Sequence, residues 1–330
     1  MTHFLDGTSE DRPSLAASLM MLALIMLAVQ DSLARLTGEE MSFWQFQMLR
    51  AGSNLILFLG FAFAIWRGLP RRPVRAWAVW ARVFMMVLAT VFFFGGIPTV
   101  TIVEMAAGLY TFPIFVTILS AVLLRERVGI RRSAAVLVGA TGAMLILQPG
   151  GDDFEWVKLL PIGAGLSYGC SVILTRRWLR GENAVTIGAA QALVVVLVGA
   201  AGCIILSQVT MPQSVQTATP YLANGWLDAA GWAFGAVLIC SILNASGNVL
   251  LTKAYQSAES SWLAPFDYSY LIFATIVGYL MFGTVPDIWQ GLGVVLIFGA
   301  GTFTAMRERR LKQELADDLG SKLPPPGSRA

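Results

Sequence analysis

Ser42-Phe43-Trp44-Gln45-Phe46-Gln47-Met48-Leu49-Arg50 opens a long apolar segment that runs on to Trp66. Arg50 therefore sits several residues inside what reads as a membrane-spanning helix. An arginine deep in such a helix costs at least about 2.5 kcal/mol on insertion scales, so it must face protein or water and find a partner there. The nearest candidate is Asp31, late in the preceding apolar segment. Together the two mark a polar cavity between helices.

Composition places the whole chain in the same setting. Apolar residues make up 56% of it and charged residues 13%, where soluble domains run near ~45–50% and ~25%. The charges cluster between apolar runs, many of which approach or exceed the roughly 20 residues needed to cross a bilayer. The fold class expected is an all-α polytopic membrane protein. A membrane β-barrel needs alternating segments of about 10 residues, and these runs exclude one. The first apolar run carries no A-x-A-like cleavage site, so it is read as a retained helix and not a signal peptide. Cys170, Cys203 and Cys240 all fall in apolar segments without paired spacing, as buried small hydrophobes do. The single histidine, His3, lies in the N-terminal tail, and no metal site built on imidazole is expected.

Ten spans are predicted, at about 15–36, 42–66, 78–97, 101–124, 131–148, 158–178, 184–208, 230–252, 261–283 and 288–306. The connections alternate in charge. Arg67 to Arg75, Arg125 to Arg132, Arg176 to Arg180, Lys253 and the tail from Arg307 are basic. The others carry Glu39 and Glu40, no charge, Asp152 to Glu155, Asp228 and Asp287. The positive-inside rule then puts both termini in the cytoplasm of a multi-pass protein. Residues 1–14 form a cytoplasmic tail, 149–157 a periplasmic linker, and 307–330 a basic tail whose Pro324-Pro325-Pro326-Gly327 stretch reads as disordered. The connection from Gln208 to Asp228 is the longest on the outside. It either lies on the membrane surface or covers the cavity mouth.

The halves 15–148 and 158–306 resemble each other. Leu123-Leu124-Arg125-Glu126-Arg127-Val128 and Val136-Leu137-Val138-Gly139-Ala140-Thr141-Gly142 have counterparts in Met281-Phe282-Gly283-Thr284-Val285-Pro286 and Val295-Leu296-Ile297-Phe298-Gly299-Ala300-Gly301. Five segments per unit flip the second copy, so the expectation is two inverted five-helix repeats with a site at their interface near mid-membrane. With an Arg in helix two, the Pro113-bearing helix four running into Leu124-Arg125-Glu126-Arg127, and a Gly-rich helix after it, residues 15–306 resemble the EamA-type branch of the drug/metabolite transporter superfamily. Thr284 stands where Glu126 does, so the second half lacks that end carboxylate. The resemblance implies secondary transport of a small metabolite across the bacterial inner (plasma) membrane, by a monomer or homodimer without cofactor or nucleic-acid partner. Asp31, Arg35 and Ala264-Pro265-Phe266-Asp267-Tyr268 look most like members handling riboflavin or S-adenosylmethionine.

Each candidate residue has a structural reading beside the functional one. Asp31 and Arg35, four apart, share a helix face and suit a local ion pair. Counting inward from their helix ends at 1.5 Å per residue, Asp31 and Arg50 both lie about 9–12 Å deep. Arg50 then binds an anionic group, or Asp31 alternates between a proton and a cationic substrate; structural glue is the other reading. Glu104 opens helix four at a depth near Asp31, either as a further substrate-binding or coupling carboxylate or as an interfacial one that the helix dipole favours. Pro265 frees a backbone carbonyl at depth, beside Asp267 and Tyr268, which make a box for a flat or cationic ligand or an aromatic belt. Pro113, after Tyr110, is the counterpart kink. Asn244 and Asn248 share a face, for substrate or for interhelical hydrogen bonds. Gly165 with Gly169, and Gly231 with Gly235, read as close-packing surfaces.

Two other classes stand against transport. Gly165-Leu166-Ser167-Tyr168-Gly169 matches G-x-S-x-G by spelling, which raises an intramembrane serine hydrolase using Ser167, with Lys253 as its base. The other is a non-transporting subunit of a membrane complex. No G-x-x-x-x-G-K-[ST] is present to bind ATP, so pumping must draw on a gradient. Protons on Asp31 or Asp267 are the expected coupling, since taking a carboxyl out of water favours its neutral form.

Overall fold

The computed structural model describes residues 13–61, 73, 75–97, 99–123, 125, 130–148, 155–179, 184–209, 211–257, 263, 266–303 and 306. The helices in chain order are α1 (Pro13–Thr37), α2 (Phe43–Phe61), α3 (Ala76–Phe94), α4 (Ile102–Leu109), α5 (Phe112–Leu123), α6 (Ile130–Leu147), α7 (Leu160–Trp178) and α8 (Ala184–Gln208). There follow the short α9 (Gln213–Ala218) and α10 (Pro220–Ala223), then α11 (Gly231–Ser257), α12 (Ser269–Phe282) and α13 (Ile288–Phe303). No strand occurs among the described residues. Six helical stretches are long and apolar enough to cross a membrane: 14–37, 76–94, 102–123, 156–175, 187–208 and 231–251. Shorter apolar helices lie at 133–147, 269–282 and 288–303. α2 has the length but carries Gln45, Gln47, Arg50 and Asn54. Phe84, Leu137, Leu197 and Leu280 are exposed on the outside of the bundle, an apolar surface that suits lipid and not water.

Local chemistry sets the helix ends. α4 starts with a capping box: the Thr101 hydroxyl accepts from the Glu104 N–H, and the Glu104 carboxylate accepts from the Thr101 N–H. The sequence predicts one kinked helix across Pro113, but the chain breaks earlier, at Tyr110–Thr111. Proline's ring would strike the carbonyl of Leu109, four residues back, and its missing N–H leaves that carbonyl without a helical donor. Pro113 instead takes an early position in α5, where no N–H is needed. Gly283 ends α12 at φ +65°, donating its N–H to the Tyr279 carbonyl, the left-handed cap that glycine adopts at least cost. Asp287 opens α13. It accepts from the Gln290 N–H at 2.7 Å and from the Gln148 side chain, bonds that hold its carboxyl below the usual carboxylate range.

The helices pack in matched pairs. α1 runs along α11, and α3 along α7; α1 also meets α12, and α7 meets α4; α2 touches α11, and α3 touches α8. α2 packs on α8, and α4 on α12. Small residues permit the closest approaches. A Cβ on Gly142 would lie 2.8 Å from the Gly293 carbonyl oxygen, so α6 and α13 touch backbone to backbone. Gly165 and Gly169 pack closely on 108–116, as expected. Gly231 and Gly235 do not: open space surrounds both, because they lie on the exposed first turns of α11.

The connection between α8 and α11 folds over the start of α2. The Trp44 indole N–H donates to the Leu222 carbonyl at 2.8 Å, and the Gln45 side chain exchanges two hydrogen bonds with Leu227 at 3.1 and 3.2 Å. Between the two expectations for this connection, residues 220–227 cover the bundle. Gly108→Ala would place a methyl 2.3 Å from Pro161 Cβ between α4 and α7. Overpacking of that kind costs about 1–3 kcal/mol, so the melting temperature of the purified protein is expected to fall. Gly299→Ala, with nothing within 4 Å, is expected to leave it in place.

Candidate functional site

Asp31 lies in the middle of a bundle interior built from α1, α2, α11 and α12, with 8% of its surface exposed. Its carboxylate accepts from two neutral donors: Gln30 Nε2 at 2.9 Å, and the Tyr270 hydroxyl in a short bond. The first donor is itself part of a chain. Asn54 Nδ2 donates to Asn244 Oδ1 at 3.3 Å, Asn244 Nδ2 donates to Gln30 Oε1 at 2.9 Å, and Gln30 passes the polarity on to Asp31. Three amides thus point their positive ends toward one carboxylate, and hydrogen bonds aligned in this way strengthen one another where water is excluded. Asn248 hangs off the same chain, its amide returning to the Asn244 carbonyl at 2.8 Å.

Arg50 occupies the neighbouring face of α2 without an ion pair to Asp31 among the described residues; the two charges act on each other across the interior instead. Its Nε donates to Gln47 Oε1 at 3.0 Å, and its guanidinium carbon lies 4.6 Å from the Phe94 ring centre and 5.6 Å from that of Phe46. Aromatic faces of this kind attract a cation. Arg35 likewise turns from Asp31 to the Phe282 ring, 4.6 Å away. In place of the local Asp31–Arg35 pair, the Asp31 carboxylate takes its donors from Gln30 on α1 and Tyr270 on α12.

The break between α4 and α5 meets the start of α12. Tyr110 and Tyr268 lie 5.4 Å apart between ring centres, and Tyr110 stacks on Tyr270 at 6.0 Å. The Tyr110 hydroxyl donates to the backbone carbonyl of Asp267 at 2.8 Å, satisfying a group that irregular backbone leaves open. Tyr110, Tyr268 and Tyr270 therefore form one aromatic cluster, and Tyr270 ties it to Asp31. Pro265 lies outside the described residues. Glu104 stands apart: its carboxylate accepts from the Thr101 N–H at 2.7 Å and pairs with Lys158 at 3.3 Å, so it serves the start of α4. Ser167 is buried inside the continuous helix α7, not on the strand-to-helix turn that a G-x-S-x-G nucleophile requires. No cluster of three or more His, Cys, Asp or Glu able to hold a metal occurs among the described residues.

Sequence reasoning missed Gln30 and the hydroxyl of Tyr270 as partners of Asp31. Gln30 carried a usable signal, an amide beside a carboxylate in an otherwise apolar helix. Tyr270 carried none, because its contact spans 239 positions of chain.

The EamA-like transporter family matches the chain twice, over residues 14–148 and 156–306. The chain is 31% identical over 240 residues to a riboflavin transporter of Rhizobium johnstonii, covering 73% of this chain and 74% of that one. It is 30% identical to a riboflavin transporter of Vibrio cholerae, over 58% of this chain and 59% of that one. An S-adenosylmethionine uptake transporter of Rickettsia felis is 22% identical over 88% of this chain and 92% of its own. A crystal structure at 17% identity superposes with a TM-score of 0.61 over 91% of this chain and 99% of that one, a likeness of fold alone.

Tyr270→Phe would keep the ring stack and take a donor from the buried carboxylate. A buried acceptor that loses its donor costs about 1–3 kcal/mol, so a lowered melting temperature is expected in detergent. Tyr279→Phe, more than half exposed on the same helix, is expected to melt like wild type.

Proposed function

The chain belongs to the EamA-like transporter family, and on that premise we propose that it is a secondary active transporter. It moves a small metabolite across the bacterial inner membrane by alternating access, as ten spans in two inverted five-helix halves. The observation that carries this reading is the exchange of helix partners. Let α1, α2, α3, α4–α5 and α6 trade places with α7, α8, α11, α12 and α13. The contact of α1 with α11 then becomes that of α7 with α3, and α1 with α12 becomes α7 with α4. The pairs α2 with α8 and α4 with α12 map onto themselves. The double family match supports the same duplication. A pseudo-two-fold of this kind supplies two near-equivalent arrangements that face opposite sides.

Asp31, Arg50, Asn244 and the Tyr110, Tyr268 and Tyr270 cluster line the substrate path, with Asp267 and Asn248 at its margin. Glu104 caps the start of α4. The relatives are transporters and not enzymes, and those named for riboflavin and S-adenosylmethionine support a substrate of that size. Asp31, whose hydrogen-bond donors among the described residues are neutral, takes up and releases the coupling proton as its surroundings open to one side and then the other. Both termini lie in the cytoplasm.

Riboflavin flux into proteoliposomes tests the site. Arg50→Ala and Asp31→Asn are each expected to lower it at least about tenfold, the equivalent of one interaction with a charged group. Wild-type flux in both variants would remove these residues from the path. A protonophore is expected to abolish accumulation against a gradient, and persistence would exclude the proton. A single cysteine placed at residue 320, in a chain whose own cysteines are replaced, should react with an impermeant maleimide only after the cells are opened.

A further inference from the structure

The stripe Phe43, Gln47 and Arg50 on α2 ends in hydrogen-bond donors without acceptors. Arg50 only donates, so Gln47 must offer it Oε1, and its Nε2 then remains buried with no hydrogen-bond partner among the described residues. Gln47 is 1% exposed. A second orphan comes from α10: Tyr221, 4% exposed, buries a hydroxyl that also has no hydrogen-bond partner among the described residues. Its ring stands edge-on to Phe43 at 5.9 Å, and its hydroxyl is near enough to Arg50 for the two to interact electrostatically. Buried polar groups in proteins are hydrogen-bonded with few exceptions, and each exception calls for an explanation. Here two donors without partners accompany a guanidinium whose side-chain hydrogen bond among the described residues is the one from Nε.

The surroundings choose among ligands. Phe43, Phe46 and Phe94 supply aromatic surface. Beside Arg50 the groups left over are donors, Gln47 Nε2 and the Tyr221 hydroxyl, so the ligand must bring acceptors to them. The geometry points to a substrate subsite formed by Gln47, Arg50 and Tyr221 that takes the carbonyl edge of a flat, uncharged ring system, with Tyr221 brought in by the α8–α11 connection as its roof. This assignment rests on the transport reading above and narrows it: the tricycle of riboflavin offers a flat edge of carbonyl acceptors to these donors, whereas S-adenosylmethionine would bring its carboxylate together with sulfonium and ammonium charges that Arg50 repels.

Binding to the purified full-length protein tests it, with riboflavin followed by quenching of its own fluorescence and S-adenosylmethionine by calorimetry. Tyr221→Phe keeps the ring on Phe43 and removes only the hydroxyl; riboflavin affinity is expected to fall about fivefold, the equivalent of one neutral hydrogen bond. Gln47→Glu keeps an acceptor for Arg50 and turns the free donor into an acceptor, and a loss of tenfold or more is expected. Melting temperatures of both variants report whether they fold, and Tyr221→Phe, which buries nothing new, carries the test if Gln47→Glu does not. Wild-type riboflavin affinity in the folded variants would overturn the subsite, the orphan donors then being served by water, and would leave the transport reading standing. Preference of the wild type for S-adenosylmethionine would overturn the ligand class. Binding of neither compound by the wild type would bring down the functional reading itself, and the subsite with it.

Discussion

A carboxylate inside a lipid-embedded bundle survives only if the protein supplies what water would have given it. For Asp31 that supply is a line of amides running from α2 through α11 to α1, together with a hydroxyl from α12. The rest of the interior follows from this arrangement. Four helices, two from each half of the chain, are held at fixed rotation about their axes, because turning any one of them would leave a member of the line unsatisfied. Hydrophobic packing between apolar helices in lipid cannot impose such a register, since the lipid tails are as apolar as the side chains. The polar line therefore specifies the bundle as much as it stabilises it.

The break between α4 and α5 is the second constraint. Backbone that leaves the helix at membrane depth needs partners from its neighbours. The Thr111 hydroxyl donates to the Gly108 carbonyl at 2.6 Å, and the Tyr110 hydroxyl serves the carbonyl of Asp267 across the interface. The position that interrupts one helix thus supports the entrance to another. Tyr110 and Tyr268 meet where the two contributions face each other, and Tyr270 links that meeting point to the carboxylate.

Much of this was legible in the sequence, and what was not has physical reasons. The span 184–208 coincides with α8, because an uninterrupted apolar run ends where polar residues begin. Thr101 and Glu104, three apart, announce the start of α4. Pro113 announced an interruption but not its place, because a proline disturbs the carbonyl four residues before it. Asp31, Arg50 and Asn244 stood out as polar residues in apolar helices. Their partners did not. Charge alone joined Arg50 to Asp31, whereas the fold joins each to neutral groups and rings: Gln47 and Phe94 for one, Gln30 and Tyr270 for the other. Which neighbour a buried charge selects depends on helix rotation, and rotation is set by contacts far apart in the chain. Gly231 and Gly235 illustrate the same limit, since identical spacing packs tightly at Gly165 and Gly169 and faces open space at the start of α11.

The hydrogen bonds from Trp44 and Gln45 to the α8–α11 connection have a mechanical corollary. They rivet that segment to α2 at two successive residues, so the pair behaves as a single plate. The ends of the segment are tied as well: the Trp226 N–H donates to the Ser207 hydroxyl at 3.1 Å, and the Ala230 N–H to the Glu40 carboxylate at 3.2 Å. Peeling the connection from α2 therefore breaks all of these bonds together, and the two segments keep or lose their places as one.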